Sequence, residues 1–156
     1  MKMTSGIPTK FGILIVCIFC ISIFWEVLQT PLYRGTTLIY GTYTHASFLD
    51  PQYWVILAYA AVGDVLYISL MYACVALFRR DALWFTKPRR ASNIFFLTLL
   101  GFALATLIEW RGLGSGGWGY SSLMPLVPLL DIGWSPFVQL AAVSLLSLYL
   151  MRRFLR

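Results

Sequence analysis

The chain is 156 residues long, 60% apolar, 17% aromatic and only 12% charged, with a formal net charge of +6. Soluble domains average roughly 45–50% apolar and about 25% charged, so this composition excludes a soluble domain, a disordered tail and a disulfide-stapled secreted scaffold. What remains is a small polytopic membrane protein, and the expected fold class is all-α, a four-transmembrane-helix bundle.

A bilayer core about 30 Å thick needs roughly 20 apolar residues per helix. Four stretches meet or approach that length: Phe11 to Gln29, Tyr53 to Phe78, Ile94 to Trp110 and Trp134 to Met151. Lys2 and Lys10 precede the first run, as they would in a signal peptide. That run is longer than a usual signal core, and an acid followed by Gln29 and Pro31 replaces the small-residue cleavage site, so it reads as a retained helix. Cys17, Cys20 and Cys74 fall inside the spans. Cys17 and Cys20 stand three apart like a redox or metal pair, but thiols in hydrocarbon behave as small hydrophobes. Neither a repeat nor a linker divides the chain, which predicts one domain over residues 1–156.

Between the first two spans, Tyr33 to Gln52 carries the single histidine, His45, beside Tyr43 and Thr44. A metal site needs three or four ligands, so a surface or capping histidine is expected and neither metal nor cofactor is implied. Between the last two spans, Arg111 to Tyr120 reads RGLGSGGWGY and Ser121 to Pro136 reads SSLMPLVPLLDIGWSP. The apolar run Leu123 to Leu130 is too short to span and is broken by Pro125 and Pro128. Such a segment tends to lie along the interface or re-enter the bundle, where it would form a lid. Trp118, Tyr120 and Trp134 also suit an interfacial aromatic belt.

Basic residues set the orientation, because short loops rich in Lys and Arg stay cytoplasmic. Lys2, Lys10, Arg79, Arg80, Lys87, Arg89, Arg90, Arg152, Arg153 and Arg156 fall on one side, leaving only Arg34 and Arg111 on the other. Both termini are therefore expected in the cytoplasm. Anionic headgroups account for the positive charge, so no nucleic-acid partner is expected.

Of the six acids, Asp50, Asp81 and Asp131 lie in loops or at helix ends, whereas Glu26, Asp64 and Glu109 lie within spans. An ionised side chain at the bilayer centre costs roughly 2.5–3.5 kcal/mol on insertion scales, which makes a spanning acid a functional candidate. At 1.5 Å per residue, Glu26 and Glu109 both stand about 22 Å from the cytoplasmic boundary, and Asp64 about 16 Å down from the outer one. Gln139 on the fourth span is again near the outer level. Helical spacing groups these residues into faces: Ser22, Glu26, Gln29 and Tyr33; Tyr53, Ala60, Asp64 and Tyr67; Thr98, Ala105, Thr106 and Glu109; Ser135, Gln139 and Ala142. Small residues such as Gly101 and Ala105, or Ala60 and Gly63, let helices approach closely. The bland reading of these faces is interhelical hydrogen-bonding glue. The functional one is a pocket in which Arg111 or Arg34 pairs with an outer-level acid and Glu26, Asp64 and Glu109 perform acid–base work.

The motifs WEVLQTPLY at Trp25 to Tyr33, Gly63-Asp64, Ile108-Glu109-Trp110, Trp118-x-Tyr120 with Met124-Pro125, and Ser135-Pro136 ahead of Gln139 resemble a group of small bacterial four-helix membrane proteins. The resemblance covers about Trp25 to Gln139 and implies a multi-pass protein of the bacterial inner membrane. It brings no activity with it. Where those proteins often carry a His-Cys pair shortly before the Gly-Asp, this chain reads Tyr59-Ala60-Ala61-Val62, which tells further against a metal. Glu26 is also similar to the membrane glutamate of small multidrug resistance carriers, although a ten-to-two basic bias does not suit their antiparallel pairing. The stretch GDVLY around Asp64 is similar to one in the sterol isomerase and sigma-2 receptor superfamily, whose membrane acids handle a lipid-like amine or sterol.

Three readings follow. In the first, an outer-side acidic pocket binds a membrane lipid or amphiphilic small molecule, with or without acid–base chemistry; Glu26, Asp64 and Glu109 act, while Gln29, Arg34, Tyr67, Arg111, Trp118, Tyr120 and Gln139 bind or orient the substrate. In the second, the chain is a proton-coupled carrier, or its subunit, with Asp64 titrating. In the third, it is a non-catalytic subunit whose polar faces meet a membrane partner or a second copy.

Overall fold

The computed structural model describes residues 6–38, 41–43, 49–87 and 90–154, so Lys2, Thr44, His45, Arg89 and Arg156 lie outside it. Four helices dominate: α1 (Ile7–Gln29), α2 (Pro51–Arg79), α3 (Ala91–Gly114) and α4 (Trp134–Phe154). Each is long and apolar enough to cross a membrane. They run up to four residues past the apolar stretches, because caps and polar first turns extend a helix beyond its hydrophobic part. At α2, for example, the Asp50 side chain accepts from the Gln52 N–H at 2.9 Å and Pro51 occupies the first turn.

Alternating helix directions gather the termini and the α2–α3 connection at one end, here the terminus end. The two longer connections lie at the other, the loop end. α1 packs against α2 and α4, and α3 packs chiefly on α4. That last contact depends on Gly101, where a Cβ would stand 2.7 Å from the backbone nitrogen of Ala141. Large apolar side chains such as Phe24, Leu28, Leu66, Phe95 and Leu107 face outward, an exterior that suits hydrocarbon rather than water. Inside, Leu14, Ile18, Ile68, Met71, Val75, Leu97, Val143 and Met151 form an apolar core reaching toward the terminus end. A 3₁₀ turn, Trp84–Thr86, closes that end. Its Trp84 Nε1 donates to the Tyr72 carbonyl at 3.1 Å, and the Tyr72 hydroxyl donates to the Ser144 carbonyl at 2.8 Å.

The loop end carries two small antiparallel sheets that an all-α expectation omits. β1 (Tyr33–Leu38) lies between β2 (Gly41–Tyr43) and β3 (Trp118–Tyr120), and β4 (Leu126–Val127) pairs with β5 (Ile132–Gly133). Four of these strands have two or three residues, and the six-residue β1 reads YRGTTL with no apolar–polar alternation, so none leaves a readable period in sequence. The apolar run Leu123 to Leu130 thus belongs to a hairpin that tucks in Met124, Val127 and Ile132 and leaves Leu123 and Leu129 exposed.

The α3–α4 seam yields a direct test. Gly101→Val should lower the stability of the detergent-solubilised protein by about 1–3 kcal/mol through overpacking. Gly63→Ala, which meets nothing within 4 Å, should leave stability unchanged or raise it by up to about 1 kcal/mol through helix propensity. Thermal unfolding followed by circular dichroism compares the two.

Candidate functional site

Near the loop end, Gln139 projects from α4 into the bundle, buried among the other helices. Its amide nitrogen donates to Glu26 Oε1 at 2.6 Å and to Asp64 Oδ2 at 2.7 Å. A primary amide has two N–H donors, so one side chain serves both carboxyl groups at once. Those two oxygens therefore lie within about 5 Å of each other. The amide oxygen of Gln139 accepts from Gln29 Nε2 at 2.8 Å, which fixes which way the amide faces. Gln29 is held in turn by Ser135 Oγ at 2.9 Å and Trp25 Nε1 at 3.2 Å, both donating to its Oε1. Trp25 and Gln29 are four apart on α1, as are Ser135 and Gln139 on α4, so each helix aligns its pair on one face. Ser22, one turn before Glu26, is fully buried beside Asp64. The network joins α1, α2 and α4.

Glu109 on α3 has a separate set of donors. Its Oε1 accepts from the Tyr33 hydroxyl at 3.3 Å, and its Oε2 accepts from Trp118 Nε1 at 3.1 Å and from the Tyr120 hydroxyl. These donors come from the paired strands β1 and β3: Tyr33 lies opposite Tyr120, with ring centroids 5.6 Å apart. Gly112 makes room for this arrangement, since a Cβ there would stand 1.9 Å from the Trp118 ring. Burial first, and the Glu109 carboxylate second, hold the Tyr33 and Tyr120 hydroxyls above the ordinary tyrosine range. Glu26 is within electrostatic reach of both Glu109 and Tyr33, so the two networks are neighbours.

The structure therefore groups the acids differently from their sequence depths. Glu26 and Glu109 have the same calculated height, yet Glu26 shares its donor with Asp64, because the long Gln139 side chain bridges the step between them. Neither arginine joins the acids. Arg34 and Arg111 are exposed, and among the described residues the ion pair formed is Lys87–Asp81. Arg111 is two residues after Glu109, about 200° around the helix, and Arg34 adjoins Tyr33 in a strand whose side chains alternate faces. Tyr67 is 40% exposed and off the buried face of α2, which runs through Leu57, Ala61, Asp64, Ile68, Met71 and Val75. Thr98 and Thr106 turn back onto their own helix, donating to the carbonyls of Ile94 and Phe102. Trp118 and Tyr120 meet an acid directly. Tyr33 and Ser135 stand on the faces that helical spacing predicts, and Trp25 is four residues before Gln29, so spacing alone connects all three to the site.

Glu26 and Asp64 together carry four carboxyl oxygens, and the amide nitrogen of Gln139 donates to one on each. A cation or a multiple hydrogen-bond donor complements such oxygens when they are ionised. Among the described residues no three histidines, cysteines or acids gather closely enough to hold a metal ion.

Two measurements check the aromatic network. Gly112→Ala should expel Trp118 from its place on α3, costing about 1–3 kcal/mol by overpacking and shifting the indole fluorescence. In an alkaline titration Tyr33 and Tyr120 should ionise only above the ordinary tyrosine range of about 10. Since the folded values lie above the unfolded ones, stability from this cluster is complete below that range and is lost as pH rises from it through the folded values. Tyr33→Phe with Tyr120→Phe should remove the late fraction of tyrosinate absorbance. Compared with family models, curated proteins and solved structures, the chain matches none, and the site's geometry alone carries its functional reading.

Proposed function

We propose that the chain is a multi-pass protein of the bacterial inner membrane whose loop-end carboxyl cluster binds the polar head of a lipid-like or amphiphilic small molecule. The observation that carries this reading is the Glu26–Gln139–Asp64 bridge: two carboxyl groups on different helices share one amide, keep acceptor capacity to spare, and have no cation paired with them among the described residues. An amine or polyhydroxyl head supplies the missing donors, and the apolar flanks of the helices accommodate a tail. Gln29 and Gln139 orient the head. Trp118 and Tyr120, with Tyr33, set the position of Glu109. Arg34 and Arg111 remain exposed at the same end for an anionic group on that head.

The basic residues favour cytoplasmic termini, since Lys10, Arg79, Arg80, Lys87, Arg90, Arg152 and Arg153 gather at the terminus end of the described chain. The carboxyl cluster then lies toward the extracytoplasmic side, with the β4–β5 hairpin as its lid. A proton-coupled carrier is the second reading, favoured by Asp64 standing at the middle of α2.

Lipid and metabolite mass spectrometry after purification in mild detergent tests the proposal. Wild-type protein should retain an amine- or hydroxyl-bearing amphiphile near stoichiometry, and Gln139→Leu and Asp64→Asn should each reduce retention by about tenfold or more, the range set by leaving a buried polar group without its partner. Equal retention by these variants contradicts the proposal. A stoichiometric protein partner in its place points to a subunit role, and binding that changes with pH only while Asp64 is present points to the carrier.

A further inference from the structure

At the opposite end of the bundle, α2 stops at Arg79, with Arg80 in the left-handed conformation, and α3 begins at Ala91. The connection between them is anchored: Trp84 and Phe85 are buried, and Trp84 is bonded to the Tyr72 carbonyl. Over this anchored turn lies a cavity of about 260 Å³ lined by Arg79, Asp81, Trp84, Lys87, Arg90 and Asn93. Three cations and one carboxylate leave its lining with a formal charge of +2. The polar groups are held in place. Arg79 Nε donates to Asn93 Oδ1 at 2.6 Å, another of its nitrogens donates to Ser92 Oγ, and Asn93 itself is buried. Asp81 accepts from the Leu83 N–H at 3.1 Å and pairs with Lys87 at 2.6 Å. Bonding to Lys87 is the main reason its carboxyl sits below the usual aspartate range, so it remains charged at neutral pH. The N-terminus of α3, a helix of 24 residues, opens here with no acid in its first turn and no side chain capping it. Its positive dipole end thus adds to the basic lining.

We propose that this cavity is a second binding site, for a phosphate group that carries net negative charge, such as the headgroup of an anionic phospholipid. Three features converge on that chemistry: excess positive charge, an uncapped helix N-terminus and a guanidinium fixed by a buried asparagine. Arginine presents planar paired donors to phosphate, and lysine a point charge. The cavity is smaller than the roughly 300–1,000 Å³ of pockets that enclose a whole small molecule, which matches a headgroup whose chains remain in the bilayer. Its place at the end of two membrane-length helices brings it to headgroup level. The site uses none of the residues of the loop-end cluster and stands whatever that cluster binds.

Native mass spectrometry on the full chain in detergent tests it, with short-chain phosphatidylglycerol, short-chain phosphatidylcholine and inorganic phosphate as probes. Phosphatidylglycerol should bind in preference to phosphatidylcholine, and binding should weaken with added salt. Lys87→Gln combined with Arg90→Gln removes two exposed cations and should weaken binding by about 30-fold, while Arg153→Gln, outside the cavity, should not. Asp81→Asn removes the one carboxylate among the described lining residues and should tighten binding several-fold, a gain that misfolding cannot produce. Displacement of phosphatidylglycerol by inorganic phosphate at matching concentrations supports the site with free phosphate as its source; weak competition supports the lipid. Equal binding of the two lipids, or no change in either the double variant or Asp81→Asn, overturns the proposal.

Discussion

A polar group enclosed by apolar helices has no water to turn to, so a donor or acceptor left without a partner there is costly. Gln139 is where that constraint is tightest. Its amide nitrogen serves carboxyl groups on α1 and α2, and its amide oxygen is held by Gln29. Removing it would take one donor from each of two carboxyls and the acceptor from the Gln29 amide nitrogen, and a buried group that loses its partner costs about 1–3 kcal/mol. The bridge therefore acts as structure as well as site: it fixes where three helices meet and collects the acids that any ligand would encounter.

The rest of the fold keeps that meeting point in place. Gly101 lets α3 and α4 approach until a Cβ would collide with the Ala141 backbone, which sets the position of the helix that carries Gln139. Gly112 does the same for the aromatic network, because only a glycine leaves room for Trp118 to lie across α3 and reach Glu109. At the terminus end, Trp84 and Tyr72 lock the α2–α3 turn against α4 through hydrogen bonds to main-chain carbonyls. Some hydroxyls along the helices bond within their own turns, as Ser144 does to Ala141 and Ser147 to Val143, whereas Ser135 reaches across to Gln29 on α1. Polar contact between helices at different depths is left to long side chains such as Gln139, because serine and threonine reach only a near neighbour.

That division explains how much the sequence discloses. The four helices follow from four long apolar runs, and the importance of Glu26, Asp64, Glu109 and Gln139 follows from the rarity of such groups in apolar surroundings. Their pairing does not follow, because rise per residue gives the height of a Cα atom and not the reach of a glutamine. Helical angle explains why Arg111 cannot turn toward Glu109, and strand alternation explains why Arg34 cannot follow Tyr33. The second of these rules applies only once β1 is known to exist. The small sheets are hidden for a simple reason: four of their strands have two or three residues and the six-residue β1 does not alternate, so there is no period to read. The basic cavity at the terminus end was visible only as a tally of charges, since the buried Asn93 and the uncapped start of α3 that shape it are properties of the fold.

The central claim is that Gln139 couples Glu26 and Asp64 across helices, and double-mutant cycles measure that coupling directly. Stability would be determined for Gln139→Ala, Glu26→Gln and Asp64→Asn, and for Gln139→Ala combined with each of the other two. The account predicts non-additivity of about 1 kcal/mol in both cycles, within the range for bonded neighbours and for hydrogen bonds between membrane helices. Strictly additive effects in both cycles would show that the amide does not join the two carboxyls, and would contradict the account.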